Sequence, residues 1–556
     1  MKPWFERFPD TYADERRFWL SKGFQEADVR RDRVVFAGII TVRVGCSTGF
    51  ERHDFELKIA YPPGYPFVAP RVEFLDPAIK RARHQSVDGA PCLFPPSAWT
   101  RTFPASELHV AIERWLAYHL SGHFPRELAV YELPAYFAWT PFNLLATPAT
   151  LEQMAGRRFG RLSVDEFVGH DLGVLWTVDQ QTVGKELVDA LAPGKTRNVK
   201  RHPGRWYRLD HEPPPAQNTA ELQHVLARAG HRVDLRPRLR ERELIGLVFP
   251  DAALGEERLL MLDIGAAKKT RAAVVKGWSV RCPELYLVSH EELFRRLDGV
   301  RDVAALEDAK IACFGLGAIG SPLAEALARE GIGDFVLCDP DRLRPGNVIR
   351  NALDLTNVGQ FKAEAVEEQL ARINPWVTTR PETDNLTHPE VLAGLIGHAD
   401  LVVAAIGDDL QEELLGEVVY ASSHQPPMIL ARTLHGGAVF RVALFRPGID
   451  ACIACLAAYR LEDDARWINV PPSSLPDIFD TGCAAPARPG AGLTSQHAAL
   501  FASARALEVL ERRADETNHW VWVERAVPGA DPRLAARTPL HTATFRPRPG
   551  CAVCGV

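Results

Sequence analysis

The stretch KIACFGLGAIGS (Lys310–Ser321), continued by FVLCDPD (335–341), NVIRN (347–351) and QFKAE (360–364), decides how the chain is read. The apolar run Ile311 to Phe314 reads as a buried parallel strand. Gly315, Gly317 and Gly320 follow at G-x-G-x-x-G spacing, and Leu323, Leu327 and Ala328 then fall at helical spacing. Glycines let the backbone turn tightly and approach a phosphate, and the helix N-terminus offers it unpaired N–H groups. A second strand, Phe335 to Cys338, ends on Asp339, where the ribose-binding acid of such units sits. Up to Asp339 a dinucleotide oxidoreductase reads the same way.

The residues after Asp339 discriminate. Asn347, Arg350 and Lys362 follow it, and IGDD (406–409) ends a later apolar strand, LVVAA. Two cations and a carboxylate suit ATP with Mg²⁺ better than a dinucleotide. This region resembles the adenylation domain of ubiquitin-activating enzymes and their bacterial relatives in thiamine and molybdopterin synthesis. The resemblance implies that Asp339 holds the ribose, Arg350 and Lys362 contact the triphosphate, Asn347 helps position it, and Asp408 binds Mg²⁺. That family usually carries an arginine a few residues after the Mg²⁺ acid; here the sequence reads DDLQEELL.

The totals bound the rest. A length of 556 residues allows roughly two to four domains. With 46% hydrophobic and 24% charged residues the composition is that of an ordinary globular protein. A net charge of −6 argues against a general nucleic-acid binder. The apolar runs are shorter than the ~20 residues of a membrane span. MKPWFERFPD has no signal-peptide core. The ten cysteines include two C-x-x-C pairs, which then point to metal in a reducing cytoplasm.

In the first 155 residues a helix over 12–22 precedes strand-like runs at 34–44 and 55–61. Pro62, Pro63, Pro66 and Pro70 make PPGYPFVAPRVEFL (62–75) a rigid turn. Next come RHQSVDGAPCLFPPSAW (83–99) and an amphipathic helix from about 106 to 120. This order resembles the ubiquitin-conjugating fold, with its YPF-x-x-P turn, G-x-x-C-L cysteine and tryptophan. The resemblance implies that Cys92 carries a thioester. That chemistry needs an exposed thiolate and a donor to the tetrahedral oxyanion. The family's His-Pro-Asn is His84-Gln85-Ser86 here, so Ser86, Gln85 or a backbone N–H stands in for the asparagine. A lone cysteine is more often a small buried apolar residue, and Cys46 is read that way.

Residues 156–295 read as a small α/β linker domain. LIGLVFPD, RLLMLDIG and PELYLVSH are its strands, AELQHVLARAG (220–230) its helix, and the basic stretch 194–208 a connector. The cations Lys195, Arg197, Lys200, Arg201 and Arg205 read as a solvated surface.

Residues 296–556 alternate helix and strand patterns through AVFRVALFRPG, which implies a doubly wound parallel sheet. Two C-x-x-C knuckles follow, Cys452/Cys455 and Cys551/Cys554. Four thiolates suit tetrahedral Zn²⁺, and the activating-enzyme family places a structural zinc at such positions. Between them the Pro-, Gly- and Ser-rich stretch 467–496 reads as a loop holding Cys483. In the resembled family such a loop carries the cysteine that attacks the acyl-adenylate. Arg488 and the next helix start can lower the Cys483 pKa.

The fold class expected is thus α/β and α+β multidomain, with a Rossmann-like C-terminal domain. The whole arrangement resembles the fused activating–conjugating enzymes of bacterial ubiquitination-like systems, most of all those of type II CBASS anti-phage operons. It implies adenylation of a protein C-terminus, a thioester on Cys483, transfer to Cys92, and an isopeptide bond to a lysine of an acceptor. The partner implied is a cGAS-like nucleotidyltransferase or a ubiquitin-like protein, and the expected state a homodimer. The rival readings are a sulfur-carrier activator, an inactive scaffold and an oxidoreductase.

Overall fold

A computed structural model describes residues 2–555 apart from 31–32, 47–48, 76–78, 80–84, 86–89, 95–97, 122–137, 193–197, 215, 236–241, 252–254, 266–277, 385–386, 472, 474, 476–488 and 536–538. The chain divides into two compact units, residues 1–185 with 198–288, and residues 186–197 with 289–556.

The first unit holds two sheets. Helices α1 (Trp4–Arg7) and α2 (Pro9–Ser21) lead into the meander β1 (Gln25–Arg30), β2 (Arg33–Cys46), β3 (Gly49–Tyr61) and β4 (Arg71–Phe74), and helix α3 (Ala105–Ser121) follows. The sheet is antiparallel throughout. Its core gathers Trp19 of α2, Phe36, Leu57 and Tyr61 of the sheet, and Leu108, Ile112 and Trp115 of α3. Glu15 is buried there and accepts from the Tyr61 and Tyr65 hydroxyls. Burial raises the Glu15 pKa above the usual carboxylate value.

The second sheet runs β5 (Ala138–Ala146), β6 (Phe159–Phe167), β7 (Leu172–Val178), β8 (Gln181–Thr182), β9 (Val199–Arg208), β10 (Glu243–Asp251), β11 (Glu256–Gly265) and β12 (Ser279–Leu287). Its order is β5-β12-β11-β10-β9-β6-β7-β8, and β5 also pairs with β7, so seven strands close into a barrel. Two of the expectations change here. The second fold begins at Ala138, inside the stretch assigned to the first domain, and it is mostly strand, with the helix Thr219–Arg228. The basic stretch is no connector either: Val199–Arg208 is β9. Its inward residues His202, Gly204 and Trp206 are buried, while Arg201 and Arg205 pair with Asp165 and Glu243 on adjacent strands. Charges matched by carboxylates next door hid the alternation.

The second unit is built on β13 (Lys310–Phe314), β14 (Asp334–Cys338), β15 (Thr378–Glu382), β16 (Leu401–Ala404), β17 (Met428–Leu434), β18 (Val439–Phe445), β19 (His519–Val523) and β20 (Leu540–Ala543). Strand order is β15-β14-β13-β16-β17-β18-β19-β20. The first five are mutually parallel. Ile311 and Cys313 point into one core and Ala312 and Phe314 into the other, so both faces of β13 are covered. Helices α4 (Gly320–Arg329), α5 (Lys362–Ile373) and α8 (Gly492–Leu510) bury their apolar residues in the first core; α6 (Asp409–Ala421) and α7 (Ile453–Tyr459) do so in the second. From β18 on the strands are antiparallel, which the sequence did not reveal. Four residues, 435–438, join β17 to β18, too few for a parallel crossover.

His519 on β19 is fully buried, and burial, with Arg441 and Arg460 near it, holds its pKa well below the usual imidazole value. The folded state therefore keeps it neutral while the unfolded chain takes up a proton below about pH 6.5. Its contribution is complete above that pH and is lost on acidification. The expected outcome is a melting temperature that falls between pH 7.5 and 5.5, by up to about 1.4 kcal/mol per pH unit from this group. His519→Phe should flatten that part of the profile measured by differential scanning fluorimetry.

Candidate active site

The C-terminal ends of β14, β13 and β16 lie side by side, and the chain leaves β13 toward β14 on one side while β16 lies on the other. In open parallel sheets such a switch in strand order leaves a crevice for a ligand. The glycine loop fills it. Gly315 adopts φ +85°, and a Cβ there would lie 2.6 Å from the Ala405 carbonyl oxygen beyond β16. A Cβ on Gly320 would lie 1.8 Å from the Gly315 oxygen. These two glycines are required by packing within the protein. Gly317 differs: a Cβ there meets nothing within 4 Å. The open space beside it, at the start of α4, is where an anion can meet helix N–H groups.

Asp339 holds this loop from the neighbouring strand. It is buried, its Oδ2 accepts from Leu316 N–H at 2.7 Å and its Oδ1 from Asp341 N–H at 2.9 Å. Each oxygen keeps acceptor capacity for a further donor. Lys362, also buried, sends Nζ to Asp341 Oδ2 at 2.8 Å and to within 3.5 Å of Asp339 Oδ1. Asn347 Oδ1 accepts from Arg344 N–H at 3.0 Å, and its carbonyl accepts from the N–H groups of Arg350 and Asn351. Arg350 reaches the far end of the Cys483 segment: a Cβ on Gly490 would lie 3.2 Å from its Nη1. Asp408 caps α6, its Oδ1 accepting from Leu410 and Gln411 N–H at 3.0 Å.

Sequence reading missed four residues here. Ser321 Oγ lies 2.8 Å from both the Gly317 oxygen and Asn351 Oδ1, and Asn351 Nδ2 donates to the Leu316 oxygen. These two lock the loop from α4 and from NVIRN, and both stand next to residues already singled out. Arg432 on β17 and Glu412 on α6 have no local signal. Arg432 bonds Asp409 and Glu412, and Glu412 accepts from Gly407 N–H at 2.9 Å. Burial lowers the Arg432 pKa to about 10, while Asp408 nearby opposes the shift. A cation thus does stand beside the Asp408 turn, supplied from β17 rather than from α6.

The four knuckle cysteines converge. Their Sγ atoms all lie within 4.8 Å of one another, with Cys452–Cys551 at 3.5 Å and Cys455–Cys554 at 3.6 Å. Zn–S bonds of about 2.3 Å put tetrahedral sulfurs roughly 3.8 Å apart, so the cluster fits zinc. Burial raises the Cys452 pKa while backbone N–H groups lower that of Cys551 to about 6. A cation is what would let all four ionise together.

In the first unit Cys92 is exposed, which sets aside the buried-packing alternative. Trp99 Nε1 donates to the Pro66 oxygen at 2.9 Å and Phe94 stacks on Trp99, so the proline turn and the Cys92 segment are tied together. Gln85 is buried and bridges to Pro91. His84, Ser86, Cys483 and Arg488 lie outside the described residues.

A parallel α/β domain with a glycine loop, an acid after β14 and a lysine opening α5 defines a nucleotide-binding class. Residues 289–519 match the ThiF family. The chain is 30% identical over 155 residues to the molybdopterin-synthase adenylyltransferase of Escherichia coli, covering 28% of this chain and 60% of that protein. It is 30% identical over 204 residues to the ATP-dependent ubiquitin transferase-like protein Cap2 of Pseudomonas aeruginosa, covering 36% and 35%. Among solved structures, Escherichia coli MccB with ATP overlaps 46% of this chain and 68% of its own at 18% identity and a TM-score of 0.35. The chain spans less than two thirds of the length of each of these curated relatives, and likewise of y4qC and y4oA of Sinorhizobium fredii. Among the described residues no helix is long and apolar enough to cross a membrane.

The two glycine environments make opposite expectations. Gly317→Ala should leave the melting temperature unchanged and weaken ATP binding at least about tenfold by titration calorimetry, because the methyl occupies open space that a phosphate needs. Gly320→Ala should cost about 1–3 kcal/mol of stability in a denaturant melt, because its methyl overlaps a carbonyl oxygen. For the cysteines, elemental analysis should return one zinc per chain. Chelation should lower the melting temperature by several degrees, since the four thiolates tie the second knuckle to the first.

Proposed function

We propose that the chain uses ATP to adenylate the C-terminal carboxylate of a protein and passes the acyl group through two of its own cysteines. The observation that carries the reading is the cluster of the glycine loop, Asp339 and Lys362 at the strand ends of the ThiF-family domain. In this reading the ribose hydroxyls donate to Asp339, which already fixes the loop. Lys362, held between Asp339 and Asp341, turns to the triphosphate, and Arg350 adds a second cation on the side of Asn347. Gly315, Gly317 and Gly320 let the backbone approach the phosphates. Asp408 would hold Mg²⁺, which would supply charge to offset the triphosphate and the departing pyrophosphate.

The carboxylate attacks the α-phosphate and pyrophosphate departs. The Cys483 thiolate then attacks the acyl carbon, forming a thioester and expelling AMP. Cys92 takes the acyl group by transthiolation, returning the Cys483 thiolate. An acceptor lysine amine attacks the Cys92 thioester and gives an isopeptide bond. Near Cys92 the oxyanion donor in this reading is Ser86, Gln85 or a backbone N–H, with His84 on the same loop. Two cysteines on one chain raise the effective concentration of the second step. The exposure of Cys92 supports its part. The similarity to Cap2 and the order of motifs support a cGAS-like nucleotidyltransferase as the activated protein, in anti-phage defence, with the enzyme a cytoplasmic homodimer.

The test uses the full chain with Mg·ATP and a cGAS-like nucleotidyltransferase on non-reducing gels. The wild type should form a reductant-sensitive adduct that Cys483→Ala abolishes. Cys92→Ala should still form the first adduct and yield no isopeptide product. If AMP forms while neither cysteine is ever charged, the relay is wrong.

A further inference from the structure

One row across the sheet of the second unit carries charge where its neighbours are apolar. Arg432 on β17 lies directly opposite Arg441 on β18, Arg441 opposite Val521 on β19, and Val521 opposite His541 on β20. Val439 and Ala443, two residues to either side of Arg441, pack in the second core, so Arg441 faces that core too. Like charges directly opposite each other destabilise an antiparallel pair. The two guanidiniums differ in what surrounds them. Arg432 bonds Asp409 and Glu412. Arg441 is 6% exposed; its Nη2 donates to the Ile468 carbonyl oxygen, and its Nε is buried with no hydrogen-bond partner among the described residues. Burial lowers the Arg441 pKa to about 9, and Arg460 and Arg432 push it the same way with no carboxylate opposing them. A guanidinium is still charged at neutral pH. Arg460, at the C-terminal end of α7, is the third cation, and its Nε donates to a neutral acceptor, Asn469 Oδ1, at 2.7 Å. At the far end of the row, His541 Nε2 is also buried without a partner among the described residues. A carbonyl oxygen satisfies one donor and leaves the charge uncancelled, and a buried uncancelled charge is strongly unfavourable.

We propose that Arg441, flanked by Arg432 and Arg460, is the centre of a binding site for a small oxyanion, a carboxylate or phosphate group. Either group presents paired oxygens that match the fork of a guanidinium, and either supplies the charge that the Ile468 carbonyl lacks. The inference goes beyond the proposed function and needs neither thioester cysteine. The row is tied to the nucleotide crevice through Arg432, because Asp409 and Glu412 stand in the first turn of the helix that Asp408 caps. The anion approaches from that end, where the Arg432 side chain is 17% exposed and that of its partner Asp409 69%. Asp409 can be rehydrated when Arg432 turns to the anion, and Glu412 keeps the Gly407 N–H at 2.9 Å. Two oxyanions belong to the chemistry of such a crevice: a polyphosphate, and the terminal carboxylate of a chain to be activated. The site recognises what they have in common, and the experiment separates them.

The test uses the full chain carrying Gly317→Ala, so that phosphate binding at the glycine loop does not mask the second site. The melting temperature is followed against phosphate, pyrophosphate and an acetylated dipeptide with a free C-terminal carboxylate. Sodium chloride at matched ionic strength and the dipeptide amide serve as blanks. The expected result is a saturable rise with at least one of the oxyanions and none with either blank. Arg441→Met, added to that background, should weaken the apparent Kd at least about tenfold, and Arg460→Gln at least about threefold. A rise with the phosphates alone or with the dipeptide alone identifies the source the site takes. No rise with any oxyanion, or a rise that Arg441→Met leaves unchanged, overturns the inference. If Arg441→Met does not fold, Arg460→Gln decides, and an unchanged Kd there overturns it. Failure of the adenylation reading registers separately, as ATP binding that Gly317→Ala does not weaken, and the dependence on Arg441 is then read in the same way without that substitution.

Discussion

A Cβ on Gly320 would lie 1.8 Å from the Gly315 carbonyl oxygen, so the glycine loop packs against the start of α4 where no side chain fits. That contact sets the angle at which α4 leaves β13, and the rest of the unit follows from it. Leu323, Leu327 and Ala328 reach the core shared with α5 and α8 only along that direction. The loop is then secured from three independent places: Asp339 on the next strand, Ser321 inside α4, and Asn351 after the NVIR turn. None of these bonds needs a ligand. A loop so fixed meets an incoming phosphate with its N–H groups already oriented, and binding energy is not spent ordering it.

The same economy governs charge. Lys362 is buried between Asp339 and Asp341, and Arg432 between Asp409 and Glu412. A buried cation without a partner is costly; in the function proposed above, a site that takes up a polyanion holds its cations on nearby carboxylates meanwhile. The exchange has a direction. Asp341 is largely exposed and can be rehydrated when Lys362 turns away, whereas Asp339 keeps two backbone N–H partners. Lys362 can therefore move without stranding either acid.

What was legible in the sequence was whatever is local. Strand, glycine loop, acid and following helix came through because each is set by a few neighbouring residues. Both cysteine knuckles were visible as pairs, although their convergence is a matter of the fold. The barrel was mostly hidden: β9 carries its charges outward against Asp165 and Glu243, so its alternation reads as a polar connector. The antiparallel edge of the last sheet was missed because its decisive feature is a four-residue turn between two apolar strands. Arg432 could not be seen beside Asp408, since the sheet brings them together and nothing in either neighbourhood says so.

Burial sorts the cysteines by the chemistry open to them. Cys282 and Cys313 are buried, and burial raises their thiols to about 12; Cys338, behind Asp339, is raised further still. A thiol that cannot ionise near neutral pH is neither nucleophile nor ligand, so these three act as packing. The four knuckle cysteines converge where a cation would let all of them ionise together, and so belong to structure. Cys92 has the exposure that the buried cysteines lack, and its segment is braced by Trp99 against the proline turn rather than by packing of its own sulfur. A nucleophile must be placed by its neighbours and left open itself.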